Sequence, residues 1–280
     1  MVRASDFIKD GIPPKKKETL TSSQTWTAPN NIAADADGNH PVWVTMQGGG
    51  GAGGVSVGDA NNNVNAGGGG GQAGHYTLHY KVLVTPGENI TVTIGSGASG
   101  VQVSNGNIKT GEGGASSSFG NYVTAQGGDG GRGNINDFLR TVRANGGGSI
   151  RGLGSGTGRH GTPGAETYGS GSINSEDLIV HGAIGSGSRP FGGGGGYNTS
   201  HGFAGGSNDV TSGGGGGGIG GSGTDGVHKE ILDGNSASAS ANTGAGSGGT
   251  AVRNWETTTY TANSGDAGSG LCIIEYFVKG

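Results

Sequence analysis

GGGGGG, residues 213–218, is the longest of the glycine runs that decide what this 280-residue chain can form. Similar runs lie at residues 48–51, 67–71 and 192–196. Since glycine has no side chain to bury and loses more backbone freedom on ordering than any other residue, these runs cannot be ordinary core helices or strands. Either they stay disordered, or they pack side by side as extended polyglycine II helices whose N–H and C=O groups bond to neighbouring helices. We expect the second arrangement.

Composition separates this chain from disordered and collagen-like sequences. Glycine and proline, 70 and 7 residues, together fall in the ~25 to 30% range typical of low-complexity chains. Charged residues make up only 13%, however, and apolar and aromatic residues cluster between the glycine runs, which disordered chains seldom show. Glycine does not recur at every third position, which excludes collagen. A small β core with a hydrogen-bonded glycine layer fits the 30% hydrophobic content.

Charge and cysteine content limit the classes of partner. The formal net charge of −4 and the isoelectric point near 5.9 argue against a general nucleic-acid binder, which needs a concentrated basic face. Residues 15–17 are adjacent lysines, which we interpret as a solvated tail, with docking to a membrane, nucleic acid or partner as the alternative. No stretch approaches the ~18 apolar residues of a membrane span, and no secretory signal is recognisable. Cys272 is interpreted as a small buried hydrophobe.

Alternating β-branched and aromatic residues predict a β framework built from both ends of the chain. The segments 19–29 and 42–47 are each expected to be a strand. Residues 75–85 and 89–95 are expected to pair as a hairpin. Because a strong strand is predicted at 271–278, the glycine-rich middle is expected to be an insertion into this framework. Further short strands are predicted at 101–103 and 116–122.

Between residues 127 and 270, glycine runs alternate with polar and aromatic segments that share no fixed period. Equivalent solenoid repeats are therefore not expected. A six-residue polyglycine II helix is about 19 Å long, which suffices for a compact slab with the intervening segments as loops at its ends. Loops on a rigid scaffold are where binding residues are normally found.

Apparent motifs for catalysis and metal binding arise here from the glycine content. Residues 95–100 match a dinucleotide-binding fingerprint, but no helix is predicted after them. His75 and His79 are expected on one strand about 13 Å apart, too far to share a zinc ion. Residues 220–228 match a calcium-binding nonapeptide once, so Asp225 is the residue to check for metal. No catalytic residue, cofactor or metal is assigned.

The clearest functional signal is a set of aromatic residues between the glycine runs. Burial by a glycine slab is limited there, and aromatic anchors with Asn, Ser and Thr neighbours are typical of recognition loops. The alternative, for Phe191 above all, is that such a residue covers the slab. With two loop histidines, the predicted contact residues are Phe138, Tyr168, Phe191, Tyr197, His201, Phe203, His228, Trp255 and Tyr260.

The order of several motifs resembles a known family. The resemblance is carried by TWTAP, VWVTMQGGGGAGG, GGGGGQAGHYTLHYKVLVTPGENITVTIG, SSFG and the closing GSGLCIIEYF. Over about residues 19–280 the chain is similar in this order to the glycine-rich domain at the tips of bacteriophage tail fibres. This resemblance implies a receptor-binding adhesin, in which packed polyglycine II helices carry variable loops that touch a bacterial outer-membrane protein or surface polysaccharide.

We therefore expect an all-β fold: a small β-sandwich framework with an inserted bundle of polyglycine II helices. Residues 1–18 are expected to be an N-terminal virion attachment arm, and residues 19–280 the receptor-binding domain. The predicted function is a non-enzymatic tail-fibre tip protein, made in the host cytoplasm without a signal peptide and carried on the virion. The expected partners are other fibre or tail proteins, a host outer-membrane protein or surface polysaccharide, and further copies in a homo-oligomer, with no nucleic acid and no membrane insertion.

Two other functions stay open on the sequence. One is a structural virion component, such as a head fibre or a baseplate decoration, whose loops contact other virion subunits. The other is a polysaccharide depolymerase, which needs a pair of carboxylates about 5 to 9.5 Å apart. The candidate carboxylates are Glu166, Glu176, Asp177, Glu230 and Asp233.

Overall fold

The computed structural model describes residues 14–59, 65–105, 107–136, 142–144, 166–169, 179–181, 198–201, 209–212, 214–219, 221, 223–230, 233–254 and 259–279. Within these ranges the regular secondary structure is entirely β, so the expected all-β fold is confirmed. The first strands are β1 (Lys15–Leu20), β2 (Gln24–Thr27), β3 (His40–Gln47), β4 (Val55–Asp59), β5 (Asn65–Gly68), β6 (Tyr76–Val84), β7 (Asn89–Thr93), β8 (Gln102–Ser104), β9 (Ile108–Lys109), β10 (Ser117–Phe119) and β11 (Val123–Ala125). The remaining strands are β12 (Gly133–Asn136), β13 (Val142–Ala144), β14 (Glu166–Gly169), β15 (Ile179–His181), β16 (Asn198–His201), β17 (Asp209–Ser212), β18 (Val227–Glu230), β19 (Gly234–Asn235), β20 (Thr250–Asn254), β21 (Thr261–Asn263) and β22 (Leu271–Phe277).

Eight of these strands form the sandwich framework. One antiparallel sheet has the order β1-β22-β3-β6 and the other β11-β10-β7-β2. In the first sheet β22 lies between β1 and β3, so that Glu275 is paired with Lys17 on one side and Trp43 on the other. The strand expected at 271–278 therefore closes the framework, as predicted.

The framework core lies between the two sheets because each strand turns every second side chain inward. The Trp26 ring lies 5.6 Å from that of Phe119 and 6.0 Å from that of Tyr276. The Glu18 carboxylate accepts a hydrogen bond from Trp26 Nε1 at 3.2 Å and another from the Tyr276 hydroxyl. Glu18 thereby ties β1 of one sheet to β2 of the other. Cys272 is fully buried in this core, which confirms its interpretation as a hydrophobe.

The expected hairpin between residues 75–85 and 89–95 is wrong. β6 pairs with β3 in the first sheet, whereas β7 pairs with β2 and β10 in the second. The chain crosses between the sheets at Gly87, which has a φ of +80° and donates its amide to the Ala28 carbonyl oxygen at 2.8 Å. Alternation predicts both strands correctly but does not specify their partners, because each strand presents one apolar face that either sheet can bury.

The beginning of the framework also differs from expectation. Residues 19–29 do not form one strand: β1 ends at Leu20, and β2 begins at Gln24 in the other sheet. The lysines at 15–17 lie in β1, paired with β22, rather than in a solvated tail, although they are exposed. The framework thus begins inside the range 1–18 expected for the arm.

A β-bulge interrupts β6. The pairing register shifts between Val44 and Met46 of β3, so that Leu78 and His79 both oppose the single residue between them. His79 has a φ of +49°, in the left-handed region that the glycine of a G1 bulge also adopts. His75 and His79 are therefore not two positions of one regular strand, and the expected spacing of about 13 Å along one strand is wrong.

The glycine-rich segments form a bundle joined by backbone hydrogen bonds. Residues 48–54, the central segment, are buried along their whole length. Every third amide of this segment donates to the same neighbouring segment. The bonds run from Gly48, Gly51 and Gly54 to the carbonyls of His75, Gln72 and Gly69, and from Gly49 and Ala52 to those of Ala115 and Glu112, with N···O distances of 2.8–3.0 Å. Three residues per turn is the repeat of polyglycine II, so the expected bundle is confirmed here.

The central segment is bonded on all sides. Its carbonyl oxygens accept with the same period, Gly49 and Ala52 from the amides of Gly128 and Gly131, and Gly51 and Gly54 from those of Ser247 and Thr250. At Gly50 the amide donates to Gly268 and the carbonyl accepts from Ala98. The backbone of the central segment is therefore bonded to six neighbouring segments, whereas a strand in a sheet bonds to two.

Glycine is required in the central segment because neighbouring backbone fills the space where side chains would project. A Cβ on Gly50 would lie 2.1 Å from the Ala245 carbonyl oxygen. Ala52 is accommodated because it meets Ala98 and Ala267 in a small apolar cluster. Residues 214–218 are likewise buried within the bundle, whereas Gly213 and the run at 192–196 lie outside the described residues.

Candidate functional site

The bundle segments run alternately between two ends of the molecule. The central segment leads from β3 to β4, and residues 69–75 return from β5 to β6. Four further segments run outward in the same way: residues 95–101, 126–132, 223–226 and 244–249. Four others run back: residues 111–115, 214–218, 236–240 and 264–270. We call the end with the sandwich the framework end, and the end with β4, β5, β8, β9 and β12 to β21 the distal end. β1 and β22 lie at the framework end. Strands β12 to β18 lie at the distal end, so each connection between two of these strands begins and ends there.

A second, smaller core supports the distal end. β18, β20 and β4 are parallel neighbours, and Val55, Val57 and Val252 from this sheet are buried. They pack with side chains from β8 and β21 and against the half-buried Tyr260. The β-branched residues resume directly after the glycine segments, where the lattice gives way to a sheet that has room for side chains. The distal strands thus have a fixed base of their own.

The outer face of the sheet β19-β21-β8 carries a row of polar side chains, the amide row. Asn235, Asn263 and Gln102 lie opposite one another on the three strands. Asn263 Nδ2 donates to Asn235 Oδ1 at 2.6 Å. Beside them, Asp233 Oδ1 accepts from the amide of Thr261 at 2.7 Å and from its hydroxyl at 3.0 Å. This face presents hydrogen-bonding groups already held in position.

Four of the predicted contact residues lie within the described ranges, all at the distal end. Tyr168 is in β14 opposite Arg143, His201 is in β16 opposite Asp209, and His228 is in β18 opposite Ala251. Tyr260 precedes β21, and its amide donates to Asn105 Oδ1 at 2.9 Å. The others lie outside the described residues: Phe138, Phe191, Tyr197, Phe203 and Trp255.

The distal strands bring these separate stretches of sequence together. β14, which carries Tyr168, packs against β17, and β17 pairs with β16, which carries His201. β18, which carries His228, packs on β16 and β17 and pairs with β20. The second core then joins β20 to Tyr260. Four residues that are far apart in sequence therefore belong to one group of neighbouring strands.

The carboxylates and histidines of the distal end lie on several different strands. Across the described residues, no group of three or more His, Cys, Asp and Glu side chains is placed to hold a metal ion. Asp225 is exposed on the segment 223–226. Of the carboxylates considered for a glycosidase, Glu166 lies in β14, Glu230 in β18 and Asp233 beside Thr261, while Glu176 and Asp177 lie outside the described residues. None of the described segments forms a helix long and apolar enough to cross a membrane.

The amide row is not recognisable as a unit from the sequence. Its signal is weak: Thr261-Ala262-Asn263 and Gln102-Val103-Ser104 each alternate polar, apolar and polar residues. A strand of three residues is too short for periodicity to separate it from a loop. The pairing of Asn235 with Asn263 requires the folded arrangement.

Comparison with known proteins adds one match. A family model described as a glycine-rich domain matches residues 18–277. No curated protein matches the chain. The matched range includes nearly all of the framework and the whole bundle. Its description states a composition and specifies neither ligand nor partner.

Proposed function

The chain belongs to the glycine-rich domain family, and we propose that it is a bacteriophage tail-fibre tip protein that binds a receptor on the host bacterial surface. The binding surface is the distal end with its connecting loops. The observation that carries the proposal is the alternating course of the bundle segments. Because the segments alternate in direction, β1 and β22 lie at one end of the molecule, and the longest connections leave the described strands at the other end.

The glycine bundle suits recognition because it is a rigid base that needs few side chains. Its backbone groups are bonded to neighbours on all sides, as at Gly50, so the bundle itself loses little conformational entropy when a loop binds. Sequence changes in the loops leave the lattice contacts untouched, since the lattice depends on backbone atoms. A scaffold of this kind can support loops for different receptors.

The chemistry of the distal end fits two receptor classes, a surface polysaccharide and an outer-membrane protein. The amide row supplies donors and acceptors that suit sugar hydroxyls or exposed backbone, and the predicted aromatic residues supply apolar contact area. Binding to either receptor involves no chemical reaction, and the protein is therefore proposed to be an adhesin without enzymatic activity.

The framework end is the side proposed for attachment to other fibre or tail proteins, through residues 1–18. The location proposed is therefore the surface of the virion. Several copies on one particle would bind with high avidity even where each loop contact is weak.

A binding experiment with matched variants tests this function. Labelled protein is titrated against host cells and competed against phage adsorption. The distal variant carries Phe203→Ala and Trp255→Ala, while Tyr260 is left unchanged because it packs against the second core. Tyr122→Ala, an exposed aromatic at the framework end, is the control. We expect wild type and Tyr122→Ala to bind saturably and block adsorption, and the distal variant to bind roughly tenfold more weakly or worse.

Two results would replace the proposal. Absence of saturable wild-type binding to every host that the virus infects would favour a structural virion component. Release of sugar from host polysaccharide would favour a depolymerase. The thermal unfolding transition of each variant shows whether it is folded.

A further inference from the structure

Exposed apolar residues are concentrated on one edge of the sandwich. Among the residues whose side-chain exposure the structure describes, five large apolar side chains are exposed, and three of them are on β6: Leu78, Tyr80 and Leu83, at 45, 43 and 48%. β6 is an edge strand, since β3 is the one strand paired with it within the described ranges. An exposed apolar edge is a template on which another strand can pair.

The opposite edge of the same sheet has a different character. β1 presents lysines at residues 15–17, all exposed. Lysines on an edge strand hinder the approach of another strand through charge and hydration. The lysines of β1 thus protect that edge against pairing with another strand, whereas the apolar edge at β6 is open to such pairing.

We propose that β6 pairs antiparallel with β6 of a second copy of this chain, through residues 80–84. Centred on Val82, this pairing places Tyr80 opposite Val84 of the second copy and Lys81 opposite Leu83. The segment begins after the bulge at His79, so its backbone is regular. Aromatic residues opposite β-branched residues are favourable cross-strand pairs.

No like charges face each other in this register, because Lys81 is the one charged residue of the segment 80–84. Lys81 Nζ lies 3.2 Å from Asp35 Oδ2, so the segment's cation already has a carboxylate partner. Opposite Leu83 it faces no like charge. Pairing through β1 of another copy would instead add the cations of residues 15–17 to the contact, and only registers that set them opposite Glu18 or Thr19 would avoid facing like charges.

The resulting dimer has a continuous eight-stranded sheet and two-fold symmetry. Its distal ends point in opposite directions and stay clear of the contact. Five residues a side form a contact below the standard ~1,600 Å² interface, so the dimer is weak and depends on concentration. This inference does not rest on the proposed function.

Sedimentation velocity over a concentration series up to about 1 mM tests the pairing. Leu83→Lys puts a cation opposite Lys81 of the second copy, whereas Leu83→Glu puts an anion there. Thr19→Lys adds the same charge to the exposed face of β1 and serves as control. We expect Leu83→Lys to weaken dimerisation roughly tenfold or more, Leu83→Glu to stay within about threefold of wild type, and Thr19→Lys to have no effect.

Several outcomes would overturn the pairing. They are a wild type that is monomeric throughout, equal weakening by both Leu83 charge variants, and loss of dimer in Thr19→Lys. Equal weakening would indicate apolar contact without this register, and an effect of Thr19→Lys would locate the contact on β1. Circular dichroism shows whether each variant is folded. If a charge variant does not fold, Leu83→Ser takes its place, because it removes the apolar atoms without adding charge. Leu83→Ser must also weaken the dimer if the pairing is correct.

Discussion

Gln47 and Gly74 are joined by a hydrogen bond inside the protein, from Gln47 Nε2 to the Gly74 carbonyl oxygen over 3.0 Å. The Gln47 side chain has no exposed surface, and its Oε1 accepts from the Ile219 amide at 2.5 Å. Gln47 is the last residue of β3, after which the central segment begins. One side chain therefore completes the backbone hydrogen bonding at the junction of sheet and glycine lattice.

Gln47→Ala should lower the free energy of unfolding by about 2–4 kcal/mol, because it removes the hydrogen-bond partners of the buried Gly74 carbonyl and the half-buried Ile219 amide. Urea denaturation measures the change. Gln102→Ala, on the exposed face of β8, is the matched control and should stay within about 0.5 kcal/mol of wild type. Equal stability of the two variants would contradict the role given to Gln47.

Gly50→Ala should destabilise the protein by about 3 kcal/mol or more, since the new Cβ would lie 2.1 Å from the Ala245 carbonyl oxygen and backbone would have to move. Gly113→Ala makes the same chemical change on an exposed bundle segment, where the nearest atom is 3.2 Å away. We expect its unfolding free energy to lie within about 0.5 kcal/mol of wild type. Similar midpoints for both variants in thermal denaturation would show that the lattice is not close-packed at Gly50.

Cys272 should not react with a thiol reagent in the native protein. Burial raises the pKa of its thiol to about 12, so the thiolate is scarce at pH 8 as well as inaccessible. Absorbance after addition of a disulfide reagent should rise only when denaturant is present, with one thiol per chain. Rapid labelling without denaturant would mean that the framework core opens readily.

Tyr276→Phe should change how stability depends on pH. Burial, followed by the hydrogen bond to the Glu18 carboxylate, raises the pKa of Tyr276 from 10.0 to about 12. Because the folded state favours the protonated phenol, the contribution of Tyr276 to the free energy of unfolding is complete below about pH 10. This contribution is lost as the pH rises towards 12. Denaturation curves at pH 8 and pH 11.5 should therefore show a larger loss for wild type than for Tyr276→Phe. Parallel losses would exclude Tyr276 as a source of alkaline instability.

The strands and the glycine bundle were largely predictable from sequence, whereas the pairing was not. Strands β3, β6, β7 and β22 lie where alternation predicts them. The prediction that β6 and β7 form a hairpin was wrong, because a turn like that at Gly87 can connect strands of two different sheets as well as two strands of one hairpin. At the candidate site, the contact residues were selected by type, and among them Tyr260 proves to pack against the second core.

The sequence by itself determined where lattice and sheet can occur. A residue without a Cβ allows backbones to approach from every side, and a β-branched residue requires the space beside a sheet; both properties are local. Only the tertiary structure decided which segments are neighbours and which end carries the long connections. Gly50 bonds to Gly268 and Gln47 to Ile219, and nothing near either residue in the sequence specifies that partner. Backbone groups are the same in every residue, so the packing of the whole bundle selects their partners.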